Sequence, residues 1–193
     1  MKALIIFLLL TTTVYAQEYT TPNNFYEYAN TGVMKGAVPG FAKKPKYFNS
    51  RVAEEQLRYL YNVKGVKLII SLDHCEDVNK VVSKVNSKYP GVDLIHICRK
   101  IRRSGKQYEK NVELFKEIAA YIGNVNFFIH CRYGAHRAVT ALTGAWVEKR
   151  KISFKEAFKR TGGKVKHFRS KGQKALLRQA RRHSRIHKIR VIE

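Results

Sequence analysis

The sequence predicts an α/β fold, a largely parallel central sheet flanked by helices. Three observations carry this. Short apolar runs rich in β-branched residues recur at Val66–Leu72, Val92–Cys98 and Val125–Ile129. Between them lie segments whose apolar residues repeat at helical spacing. Each such segment is long enough for a crossover, so successive strands are expected to run parallel.

Taken in order, the chain opens with Lys2, an apolar run from Ala3 to Leu10, and Val14-Tyr15-Ala16 before Gln17. That is the pattern of a secretory signal peptide over residues 1–16. Residues 17–193 are then expected to form one exported domain, periplasmic or secreted, with a bacterial source favoured by the short signal. Residues 17–30 are polar and aromatic and read as a surface arm. Gly32, Gly36, Pro39 and Gly40 mark turns around a short strand. Ser50 is expected to cap a helix over 51–62, with Val52, Leu57, Leu60 and Tyr61 inward and Gly65 after its end. The strand at 66–72 is followed by a helix over 76–88 bearing Val78, Val81, Val82 and Val85. Pro90-Gly91 turns into the strand at 92–98. A helix over 107–122 carries Leu114, Phe115, Ile118 and Ile122. Ser153-Phe154-Lys155-Glu156 has the form of a capping box. Lys174 to His187 forms an amphipathic helix with a basic outer face.

Charge narrows the partners. The chain has 38 Lys and Arg against 14 Asp and Glu, a formal net charge of +24. Such an excess suits a polyanion. A small phosphate ester with several charges fits, and an anionic membrane surface is a second candidate through the C-terminal helix. Export disfavours a nucleic-acid role, and no aromatic residue follows Arg169 to stack on bases.

The chemistry concentrates at His130-Cys131-Arg132-Tyr133-Gly134-Ala135-His136-Arg137. An apolar strand precedes this loop and an apolar helical segment, Ala138–Val147, follows it. A strand–loop–helix junction aims backbone N–H groups and a positive helix end at one point, which makes it an anion site. Cys131 lies at its floor, where a thiolate is stabilised. Arg137 can form two parallel charge-assisted bonds to a phosphate. The loop therefore reads as a phosphate-binding loop between a central strand and a helix.

This segment resembles the His-Cys-x5-Arg signature of the protein tyrosine phosphatase superfamily. Cys131, Gly134, Arg137 and His130 fall on its fixed positions. The resemblance extends over roughly residues 25–160, includes the small dual-specificity branch, and reaches exported bacterial phytases of the tyrosine-phosphatase type. It implies a metal-independent phosphatase without cofactor, in which Cys131 is the nucleophile and Arg137 the phosphate clamp. Arg132, Tyr133, Gly134, Ala135 and His136 would complete the cradle, with His130 setting the geometry of the loop and supporting the thiolate. The chain departs from the pattern at Ala138, where the family carries Ser or Thr to help the cysteine leave. Thr140 is two positions displaced.

A second departure concerns the general acid. The family's mobile-loop aspartate would fall within Arg99-Lys100-Ile101-Arg102-Arg103-Ser104-Gly105-Lys106, which contains no carboxylate. Asp73, at the end of the preceding strand, is the candidate acid. Arg99, Lys100, Arg102 and Arg103 are expected to bind substrate, and with Arg132 and His136 they suit several phosphates on one ligand. The resemblance then points to an inositol polyphosphate such as phytate. A protein tyrosine or dual-specificity phosphatase, and a phosphate-binding pseudophosphatase, are the alternatives. Besides Cys131 the chain has Cys75 and Cys98. These two pair with each other, or Cys75 traps oxidised Cys131 as a redox partner, or both stay thiols. No Cys and His cluster with metal-ligand spacing stands out, so no metal site is expected.

Overall fold

The computed structural model of the chain describes residues 20–41, 48–102 and 107–190. The proposed signal segment lies outside them. Among the described residues, five strands form one sheet, and six α-helices surround it, α5 and α6 packing mainly through α4. The strands are β1 (Tyr26–Tyr28), β2 (Val33–Ala37), β3 (Leu68–Ser71), β4 (Ile95–Cys98) and β5 (Phe127–Cys131). The helices are α1 (Ser50–Asn62), α2 (Cys75–Lys88), α3 (Tyr108–Tyr121), α4 (Arg137–Arg150), α5 (Phe154–Arg160) and α6 (Lys171–Arg190). The sheet order is β1-β2-β5-β3-β4. All pairings are parallel except β1 with β2.

Most expected elements are present with trimmed ends. The arm at 17–30 differs from its expectation, because Tyr26–Tyr28 pairs antiparallel with β2 as an edge strand. The cap of α1 also differs. Asn49 supplies it, its Oδ1 accepting from the Val52 amide at 3.1 Å, and Ser50 is the first helical residue. Ser153 caps α5 as expected, accepting from the Glu156 amide at 3.2 Å.

Strand periodicity divides the core in two. Val33, Leu68, Ile70, Phe127, Ile129 and Cys131 face one way and pack with α3, α4 and Leu176 of α6. Met34, Ile69 and Phe128 face the other way, towards α1 and α2. This is the period-two alternation of a sheet covered on both faces. Every residue of α4 from Ala138 to Val147 is buried. A helix apolar on all sides must be enclosed, and α3, α5, α6 and the sheet enclose this one.

The basic tail does form a helix docked on the domain. Leu176, Leu177 and Ala180 are buried, while Lys171, Lys174, Arg178, Arg181, Arg182 and Arg185 face outward. No helix among the described residues is long and apolar enough to cross a membrane.

Candidate active site

The loops after β3, β4 and β5 meet at the carboxyl edge of the parallel strands, where ligands of open α/β sheets bind. Register sets the arrangement. Ser71, the last residue of β3, lies opposite His130 on one side and Cys98 on the other, and Ala37 lies opposite Cys131.

Cys131 ends β5 and is a buried free thiol, 3 % exposed. The chain then turns into α4 within five residues. Gly134 makes that turn possible. Its φ is +66°, and a Cβ there would stand 2.4 Å from the Gly36 carbonyl carbon of β2. Its amide donates to the Cys131 carbonyl at 3.1 Å. The loop thus closes tightly over the cysteine, and the positive N-terminus of α4 begins at Arg137.

Arg137 is half-buried and held from two sides. Its Nη1 lies 2.9 Å from Asp73 Oδ2 and donates to the Leu72 carbonyl at 3.1 Å. Asp73 therefore reaches the mouth, as expected, and what it touches there is the guanidinium. His74 follows it with φ +54°, in the left-handed region rare for non-glycine residues. The His74 Nδ1 sits 3.2 Å from Asp77 Oδ2 and its Nε2 4.0 Å from Asp73 Oδ2. His74, Glu76 and Asp77 line the mouth beside Asp73. Sequence reading missed them, although Glu76 and Asp77 follow β3 within a helix's first turn, where loop residues of this sheet converge.

His130 is fully buried, and its Nε2 is 2.6 Å from Ser71 Oγ. Ser71 Oγ lies 2.7 Å from His96 Nε2, and His96 Nδ1 lies 3.1 Å from Asn79 Oδ1. One proton arrangement satisfies all three links: His130 donates to Ser71, Ser71 to His96, and His96 to Asn79. Burial, reinforced by His96 and His74, pushes the His130 imidazole down to about 3. A neutral ring brings no formal charge to the loop, and its bond to Ser71 ties the end of β5 to β3.

The basic residues divide. Lys100 and Arg102 line a cavity of about 950 Å³ together with Asp73, Arg137, Gln107 and Leu72. Asn111 of α3 clasps the Arg102 backbone on both its N–H and its C=O, at 2.8 Å each, and Gln179 of α6 donates to the same carbonyl at 3.0 Å. Arg99 is a correction. Its guanidinium pairs with Glu117 on α3 at 2.8 Å and is absent from the cavity lining. Arg103 lies outside the described residues. Arg132 and Tyr133 stand at the solvent edge of the loop, the guanidinium 5.6 Å from the Tyr133 ring centroid. Ala135 and His136 face a second hollow. The His136 Nε2 is 2.7 Å from the His167 carbonyl, so this ring braces the 165–168 segment.

Cys75 and Cys98 form a disulfide across the mouth, joining the first residue of α2 to the last of β4. The pairing alternative is the one realised, and Cys75 is not available as a redox partner for Cys131. Ala138 packs in the same core cluster as Cys131, and the Thr140 hydroxyl is buried without a partner.

The fold also assembles a group the sequence reading passed over. Glu148, His183 and His187 bring their ligand atoms within 4.8 Å of one another, the histidines one turn apart on α6. The Lys151 ammonium, 3.4 Å from Glu148 Oε1 and 3.5 Å from His187 Nδ1, opposes a further cation there.

No protein-family model and no curated protein sequence matches the chain. Solved structures do. The phosphatase Tk-PTP, in a mutant form, aligns with a TM-score of 0.54 at 15 % identity, covering 84 % of this chain and 97 % of that one. The PTP-2 phosphatase of Cydia pomonella aligns with a TM-score of 0.52 at 20 % identity, covering 79 % and 87 %. PTPMT1, solved in complex with PI(5)P, gives 0.51 at 15 %, covering 86 % and 98 %. At these identities the likeness is one of fold. The chain thus shares the α/β fold of these tyrosine phosphatase structures.

Proposed function

We propose that the chain is a metal-independent phosphomonoester hydrolase working through a cysteinyl-phosphate on Cys131. The observation that carries this is the meeting of a buried free cysteine and an arginine fixed by Asp73 and the Leu72 carbonyl within one strand–loop–helix junction. Cys131 Sγ attacks phosphorus, an S–P bond forms, and the ester P–O bond breaks. The leaving oxygen takes a proton from Asp73 or from water. Arg137 and the amides of 132–137 hold the equatorial oxygens, which gain charge in the transition state. Water then attacks phosphorus, the S–P bond breaks, and inorganic phosphate leaves with the thiolate restored.

The preferred substrate in this reading is a polyphosphorylated inositol such as phytate. Lys100 and Arg102 beside Arg137 support it, as does the formal charge of +24. The phosphoinositide bound to PTPMT1 is a related ligand on a similar fold. A protein tyrosine or dual-specificity phosphatase is the second enzyme reading, favoured by the fold itself. A phosphate-binding pseudophosphatase is favoured by Ala138 and by the engagement of Asp73 with Arg137. Export to the periplasm or outside the cell is supported by the pattern at residues 1–16 and by the Cys75–Cys98 bond, which belongs in an oxidising compartment. The outer face of α6 is suited to an anionic membrane surface.

Phosphate release from phytate and from a phosphotyrosyl peptide, with chelator present, tests the substrate. Faster release from phytate supports the polyphosphate reading. Preference for the peptide replaces it with the protein phosphatase, and binding of phytate with no release from either points to the pseudophosphatase.

A further inference from the structure

The loop that closes over Cys131 has a second side. Lys35, Gly134, His136, Lys164, His167 and Arg169 are among the residues lining a cavity of about 550 Å³ there. No carboxylate is in that lining. At its base Lys35 of β2 is 6 % exposed. Its Nζ is 3.5 Å from the Gly134 carbonyl, at the limit of a hydrogen bond, and 5.4 Å from the Tyr26 ring centroid. A buried ammonium needs an anion or several acceptors to offset its lost hydration. Lys35 has a carbonyl at the limit of contact and an aromatic face. Burial pushes it below its ordinary value, and the group that opposes this shift is Cys131.

The rim repeats the pattern. Lys164, His167 and Arg169 are exposed on the 162–169 segment, and the His167 imidazole is pushed down first by desolvation and then by Lys164, Lys166, Arg169 and Lys35. Like charges gathered around a hollow without acid raise the local potential, and a bound anion relieves it. The hollow borders the phosphate loop through Gly134, Ala135 and His136, while the first cavity borders it through Arg137. Both cavities thus border the same phosphate loop.

We infer that Lys35, Lys164, His167 and Arg169 form a second phosphate subsite, which takes a non-reacting phosphate group of a multiply phosphorylated ligand. The inference rests on the proposed phosphatase reading for the identity of the reacting phosphate. The shared chemistry is a phosphomonoester on an inositol ring, either in a soluble polyphosphate or in a phosphoinositide headgroup.

The test uses the full chain in the Cys131→Ser background, with and without Lys164→Ala plus Arg169→Ala. Both substituted residues are exposed, so the fold is retained. Binding of inositol hexakisphosphate and of phenyl phosphate is measured by calorimetry, and binding of phosphoinositide-containing vesicles by sedimentation. The ratio of hexakisphosphate to phenyl phosphate affinity is expected to fall tenfold or more. An equivalent fall confined to the vesicles would assign the same subsite to headgroups. A ratio unchanged in both arms overturns the subsite. Lys35→Met, checked for folding by circular dichroism, must move the ratio in the same direction. Catalysis is read separately in the Cys131 protein: no phosphate release from any ester, with binding still dependent on Lys164 and Arg169, sinks the phosphatase reading and leaves the subsite standing.

Discussion

Ala138 and Asp73 are where single side chains decide the chemistry. Ala138 is fully buried in the first turn of α4, directly after Arg137, so an added hydroxyl would sit where the cysteine loop joins the helix. Ala138→Ser is expected to raise turnover about tenfold by assisting departure of the cysteine, with little change in KM, since general acid help contributes on the order of a hundredfold or more where complete. Stopped-flow measurement separating the burst from the steady state checks it, and the steady-state phase must be the one that speeds up. Asp73 touches Arg137 at 2.9 Å. As a positioning residue its loss misplaces the clamp, so Asp73→Asn is expected to raise KM and to lower kcat/KM roughly a hundredfold while keeping the shape of the pH–rate profile. If the basic limb of that profile disappears instead, Asp73 is the proton donor.

At the scale of elements, the disulfide ties the start of α2 to the end of β4 across the mouth. It closes a loop of sequence separation 23, and such a closure contributes about 3 kcal/mol through the unfolded chain. For a chain of this size, Cys75→Ser with Cys98→Ser is expected to lower Tm by about 6–12 °C. Thermal unfolding with and without reductant checks it, and an unchanged Tm contradicts the assignment. The junction of β5, the loop and α4 was legible in the sequence because three signals coincide there: an apolar run, a glycine between Cys131 and Arg137, and a long apolar helix. β1 was not legible, since three residues are too few to show alternation and its pairing partner is what makes it a strand. Arg99 was misplaced for a related reason. Its partner Glu117 stands on the far side of a loop, and only the packing of α3 beside β4 brings them together. Lys35 gave no warning, because a lysine in a short strand reads as solvated until the phosphate loop and the Tyr26 ring close around it.

At the scale of the whole molecule, buried imidazoles make stability sensitive to acid. The His130 ring stays neutral in the fold down to about 3, while in the unfolded chain it titrates near its ordinary value. Between those values the unfolded state binds the extra proton, so stability is full above pH of about 6.5 and falls as pH drops towards 3. His183, pushed down to about 4 chiefly by burial, acts in the same direction. From pH of about 6.5 to about 4.5 the His130 share alone is about 2 kcal/mol. Denaturant titrations over this range are expected to show that loss, and His130→Asn to be less stable at neutral pH yet flatter across the window. A wild type with no slope contradicts the buried neutral ring. In the proposed reaction Cys131 carries the phosphoryl group. The most direct measurement is acid quenching of the enzyme during turnover of labelled substrate, followed by peptide mapping. Label on the peptide containing Cys131, lost in Cys131→Ser, is the predicted result. Phosphate release at an undiminished rate by Cys131→Ser, with no labelled peptide in the wild type, would contradict it.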